Sequence, residues 1–133
     1  MTYTPESVVS YGFPIDDFTF TYLLNSAIVA ADVGKAVNLD NAANRMKLTG
    51  NGQAILGRLY SFEDRTVSGI KTGAVQRKFK ERLPAISGHG IIVGDAVCGS
   101  ATPGVVRKAV AGTDPITNVV VEVIGDFVVV ESL

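Results

Sequence analysis

Asn118-Val119-Val120-Val121-Glu122-Val123-Ile124, then Gly125-Asp126, then Phe127-Val128-Val129-Val130-Glu131-Ser132 is the stretch that decides the fold. Two β-branched runs joined by Gly-Asp form the signature of a β-hairpin with a two-residue turn. Branching at Cβ stiffens the side chain and suits a pleated surface better than a helix. Both runs are nearly continuous in Val and Ile. That predicts strands buried on both faces or set at the centre of a barrel.

The rest of the chain repeats this style in shorter pieces. Residues 18–22 alternate aromatic and threonine, which predicts a strand with an aromatic face. Short strands are also predicted at 36–39, 45–48, 54–60, 96–98 and 105–110, with a broken one at 66–70. Turns are expected at 32–35, 50–52, Gly73 and 94–95. Residues 27–31 fit a single helical turn. In the mixed segment 74–83, which Pro84 ends, Val75 and Phe79 are the inward positions. The best helical candidate, 63–71, is spoiled by Gly69 and two β-branched residues. Fourteen glycines at short intervals fit many short strands with tight turns. The fold class is therefore all-β, a small barrel of many short strands ending in a hairpin.

Composition bounds the function. The 133 residues fit one domain. Hydrophobic residues make up 47% and charged ones only 19%, with a mean hydropathy of +0.28. Such a chain is expected to carry apolar surface that an oligomer or a permanent partner would cover. The net charge of −1 gives no bulk attraction to nucleic acid. The basic residues Arg77, Lys78, Lys80 and Arg82 read as the solvent face of a strand. A single cysteine excludes an intrachain disulfide and suits a reducing compartment. The opening Met-Thr-Tyr-Thr-Pro-Glu lacks the pattern of a signal peptide, and no apolar run approaches the ~20 residues of a membrane helix. A soluble protein made in a cytosol is expected, with no membrane partner.

Residues 1–17 differ from the domain expected at 18–133. Prolines at positions 5 and 14 hold their predecessors extended, and Val8, Val9, Tyr11 and Phe13 are interspersed. This reads as an extended arm with adhesive side chains, one that lies along a neighbour or adds a strand to its sheet; a frayed terminus is the competing reading. Val8, Val9, Tyr11 and Phe13 are the candidate contact residues, and Asp16-Asp17 would meet a basic patch on a partner.

No catalytic set is legible. One histidine (His89) and one cysteine (Cys98) do not make a zinc site of the usual kinds. Cys98 follows Ala96-Val97 in an apolar strand and reads as a core thiol rather than a nucleophile. Gly50-Asn51-Gly52-Gln53-Ala54 lacks the Lys-Ser/Thr ending of a phosphate loop and reads as a hairpin turn. Glu63-Asp64, like Asp16-Asp17, are neighbours whose side chains point to opposite strand faces. Nothing supplies nucleophile, base and orienting group together. The expectation is no enzyme, no metal and no cofactor. A small-ligand barrel, with His89, Gly94 and Asp95 at its mouth, stays open as an alternative.

Two segments carry a resemblance. They are Asp32-Val33-Gly34-Lys35-Ala36-Val37-Asn38-Leu39-Asp40 and Lys47-Leu48-Thr49-Gly50-Asn51-Gly52-Gln53-Ala54-Ile55-Leu56-Gly57-Arg58-Leu59. With Gly94-Asp95-Ala96-Val97 and the terminal Val-rich hairpin, they resemble the head decoration (capsid cement) proteins of tailed bacteriophages. The likeness covers roughly residues 27–133. It implies a compact β-barrel-like (β-tulip) domain, often a homotrimer, on the exterior of the virion's capsid, with an extended terminus touching the major capsid protein. A different virion structural protein, of the tail or a head fibre, is the nearest alternative.

Overall fold

The computed structural model describes residues 19–40, 45–65, 67 and 69–133. Among the described residues eleven strands follow one another: β1 (Thr19–Leu23), β2 (Ala36–Asp40), β3 (Arg45–Leu48), β4 (Gly57–Leu59), β5 (Glu63–Arg65), β6 (Ile70–Gln76), β7 (Lys80–Pro84), β8 (Val97–Gly99), β9 (Val106–Lys108), β10 (Asn118–Ile124) and β11 (Phe127–Ser132). The one helical piece among the described residues is a 3-10 turn at Ala30–Asp32, which overlaps the end of the helical turn expected at 27–31. The all-β class is therefore that of the structure.

All ladders among the described strands are antiparallel. The large sheet runs β1-β6-β4-β2-β3, with β5 also on β6; β10-β11-β7 form a second sheet and β8-β9 a ribbon. The outer strands of the large sheet approach each other at their ends. Leu24 forms a single parallel bridge with Met46, and the Asn25 N–H donates to the Met46 carbonyl. The ladder goes no further, so the expected barrel is not closed. One bridge cannot replace the row of bonds that closure needs.

β2 separates two cores. Neighbouring residues of a strand face opposite ways, and Ala36 and Val37 are both fully buried. Val37 joins Leu24, Ile28, Met46, Leu59 and Val75. Ala36 joins a larger cluster that includes Phe79, Leu83, Val97, Val106, Val120, Val128 and Val130. Val75 and Phe79 are buried, as the pattern of 74–83 predicts.

The terminal hairpin has the expected turn. Ile124 pairs with Phe127 across Gly125-Asp126, and Gly125 takes the positive φ that the turn requires. Its expected burial on both faces does not hold. Val120, Val128 and Val130 are buried, Val119, Val121 and Val129 half-buried, and Ile124 and Phe127 exposed. A three-stranded sheet with β10 on its edge covers one face with the core and leaves the other partly open. The register shifts between Val120 and Glu122, which makes room for Val121 as an extra residue.

Three other expectations need correction. Within 54–60 only Gly57–Leu59 is strand, because the carbonyl of Ala54 is engaged by the Asn38 side chain (2.9 Å) and the Leu56 N–H by Val37. The turn at 50–52 does not close a hairpin: β3 and β4 flank β2 on opposite sides. Gly73 does not turn the chain. It lies inside β6 opposite Tyr22, where a Cβ would strike the Ser61 carbonyl and the Leu24 and Leu59 side chains. Here glycine marks a close approach within a strand. Of the broken strand at 66–70, Thr66 and Ser68 lie outside the described residues, and β6 begins at Ile70.

Candidate functional site

Val8, Val9, Tyr11, Phe13, Asp16 and Asp17, the contact residues read from the sequence, lie outside the described residues. The body offers two surfaces where a partner could bind.

The first is basic. Arg58 on β4 stands beside Gln76 on β6. Its Nη1 donates to Gln76 Oε1 (3.0 Å) and its Nε to the Arg82 carbonyl on β7 (2.9 Å). The guanidinium thus fastens the large sheet to the C-terminal one. Burial pulls the Arg58 pKa below its ordinary value; Glu81 acts against this and the like charge of Arg82 adds to it. Arg58, Arg82 and Lys35 line a groove of about 300 Å³ with Val33, Pro84 and Phe127. The Arg82 guanidinium sits 5.3 Å from the centre of the Phe127 ring, a cation–π distance. Lys35 is engaged by Asp32 at 2.9 Å. Burial raises the Asp32 pKa, but the Val29 N–H and Lys35 outweigh it and hold the carboxyl below its usual range. Of the basic run, Lys78, Lys80 and Arg82 are exposed, as the sequence reading expects. Arg77 differs: its Nη1 donates to the Tyr22 hydroxyl (2.8 Å).

The second surface is apolar. A groove of about 630 Å³ runs between the β9–β10 connection and the start of β10, lined chiefly by Ala96, Ala109, Val110, Ile116, Val119 and Leu133. Val110, Ile116 and Leu133 are each more than half exposed. Gly94 and Asp95 belong to its wall, but His89 does not. The His89 ring instead crosses to the terminal hairpin. Its Nδ1 accepts from the Ile91 N–H (2.9 Å), which leaves Nε2 to donate to the Gly125 carbonyl (2.8 Å).

Cys98 is fully buried on β8. Burial pushes its thiol pKa up, with Arg107 opposing and Asp114 adding to the rise, the reverse of what a nucleophile needs. The structure does not unite the cysteine with His89: the charged groups that act on Cys98 are Arg107 and Asp114, and the partners of His89 are Gly125 and Ile91. Asp114 is itself committed. Arg107 grips it with Nη1 (2.8 Å) and Nη2 (3.4 Å), the Val110 N–H donates to it (2.8 Å), and Arg107 Nε reaches Asn51 (3.1 Å). These bonds to the charged form lower the Asp114 pKa. Glu63 pairs with Arg65 at 3.0 Å on the exposed β5, away from any convergence with Asp64.

Sequence reading missed Arg58, Gln76 and the Arg107–Asp114 brace. Arg58 and Gln76 are 18 positions apart, and no local pattern pairs them.

A scan with protein-family models, a search of the curated proteins and a search of the solved structures each found nothing that matches this chain.

Proposed function

We propose that this chain is a decoration protein of a tailed-phage head, bound as a homotrimer to the outer surface formed by the major capsid protein. The observation that carries the reading is the apolar groove, with Val110, Ile116 and Leu133 more than half exposed at its edge. Apolar side chains exposed together around a groove offer a surface that another protein can cover. The likeness of residues 27–133 to the decoration proteins supplies the class of partner. Mass action supplies the mechanism. A protein that binds the assembled shell better than loose subunits stabilises the shell by the difference, and so opposes its opening. The arm, through Val8, Val9, Tyr11 and Phe13, adds further contacts, of which the aromatic ones are anchors of the kind that dominate interface energies.

The test is co-sedimentation of the purified protein with capsids stripped of their decoration, followed by electron microscopy. Wild-type protein is expected to pellet with the shell, and a chain lacking residues 2–17 to bind at least tenfold more weakly while its body stays folded. Unchanged binding of the shortened chain would remove the arm from the reading. Density on a tail or head fibre instead of the shell would favour another virion role.

A further inference from the structure

We propose that the groove where β4 meets β7 is a carboxylate-binding site, in which Arg58 and Arg82 take an acidic side chain of a partner protein. The site lies apart from the apolar groove and does not depend on the capsid reading.

An unanswered charge gives the place. Arg58 is half-buried, and both acceptors of its guanidinium are neutral: Gln76 Oε1 for Nη1 and the Arg82 carbonyl for Nε. Among the described residues nothing accepts from Nη2. A charge taken out of water is normally paired with an opposite one. Here a second cation, Arg82, stands beside it. Neither arginine enters an ion pair among the described residues. Arg107 shows the completed arrangement: Asp114 accepts from its Nη1 at 2.8 Å and from its Nη2 at 3.4 Å. Arg58 lacks the carboxylate that Arg107 has.

The backbone gives access. Gly34 lines the groove with Arg58 and Arg82, and a Cβ placed on it would stand 3.5 Å from Arg58 Nη2. Nη2 therefore lies at the groove wall, and the glycine leaves that wall clear. Its φ of 97° is one that glycine adopts without penalty. Arg82 is exposed and lies over the Phe127 ring, so the edge of its planar fork is open to a carboxylate.

The surroundings give the ligand. Lys35 is already neutralised by Asp32. That leaves two guanidiniums against one carboxylate, Glu81, which acts on Arg58 without forming an ion pair. The balance is one positive charge, which a carboxylate matches better than a doubly charged phosphate. Ala31, Val33, Pro84 and Phe127 complete the wall and suit the hydrocarbon stem of an acidic side chain. Val33 and Phe127 are exposed, as is Ile124, the register partner of Phe127. Arginine and aromatic side chains are enriched where proteins meet.

The experiment titrates the full chain with acetyl-Leu-Glu-Leu-amide and follows it by two-dimensional NMR. The peptide is expected to shift the Arg58 Nε–H and Gly34 N–H signals saturably. The Arg107 Nε–H signal should stay in place, because Asp114 already serves that guanidinium. The peptide with Gln for Glu should shift none of them. Acetate should bind roughly tenfold more weakly than the peptide, since it has nothing to bury against Val33 and Phe127. Arg82→Ala removes an exposed side chain and keeps the carbonyl that holds Arg58. It should fold normally and bind the peptide roughly threefold more weakly, the weight of one partly exposed ion pair. No saturable shift, equal shifts from the Gln peptide, or equal shifts at Arg107 overturn the proposal. Acetate or inorganic phosphate binding as tightly as the peptide overturns the assignment to a protein side chain.

Discussion

The large sheet, β1 to β6, and the C-terminal half, β7 to β11, solve one packing problem in different ways. The C-terminal half buries valines chiefly from one local hairpin, β10 and β11, to which the distant β7 pairs, with Phe127 opposite Pro84. The large sheet crosses over itself, in the order β1-β6-β4-β2-β3. It fills its core with single residues from five strands or their flanks, with Ile28 from the loop that follows β1. Charged groups hold that loop. Lys71 Nζ donates to the carbonyls of Ser26 (2.6 Å) and Ile28 (2.7 Å), and Asp32 accepts from the Val29 N–H (2.9 Å) and from Lys35. The C-terminal half fixes its distant connections with mostly neutral ties instead: the buried Asn118 side chain accepts from the Val97 N–H (2.9 Å) and donates to the Val97 carbonyl (3.0 Å), and Ser132 Oγ accepts from the Phe79 N–H (2.9 Å).

The comparison breaks first at the cores. Leu59→Ala in the large sheet and Leu83→Ala in the C-terminal half each remove a fully buried side chain. Each should cost roughly 2–5 kcal/mol. Because β2 serves both cores, both variants should still unfold in one transition in urea, followed by circular dichroism. Two separated transitions would make the halves independent units.

Gly73→Ala should come next, at roughly 3 kcal/mol, the upper part of the usual overpacking range. The new methyl group meets the Ser61 carbonyl as well as two leucines, and a backbone atom cannot swing aside. Thermal denaturation checks this. A loss below about 0.5 kcal/mol, the size of an ordinary surface substitution, would mean that the large sheet yields more easily than its packing implies.

Asp32→Asn should have the smallest effect, on the order of 1 kcal/mol at pH 7, since Asn keeps one acceptor but loses the charge opposite Lys35. The sign with pH follows from the lowered pKa. The charged carboxylate stabilises the fold above the unfolded value of about 3.9, and this is lost as the pH falls through the lower folded value. Wild type and variant should therefore differ at pH 7 and converge in acid. Asp114, also lowered, acts with the same sign in the C-terminal half, so both proteins still lose stability there. A gap that persists in acid would assign Asp32 a packing role instead.

Legibility divided along the same line. The hairpin of β10 and β11 could be read to the residue, because Val and Ile runs around Gly125-Asp126 carry their own pairing information. Residues 45–48 and 36–39 were also readable as strands, since alternation is local. Gly73 misled, because a glycine that turns a chain and one that admits a neighbouring backbone look alike in one dimension.

The sequence by itself determined the all-β class, the terminal hairpin and the buried thiol of Cys98. These follow from side-chain shape and short-range spacing. Only the tertiary structure decided that the barrel stays open, that β2 divides two cores, that Arg58 fastens one sheet to the other, and that His89 braces the hairpin instead of lining a pocket. Each depends on contacts between residues far apart in the chain, and which of the many permitted pairings forms is chosen by the packing of the whole.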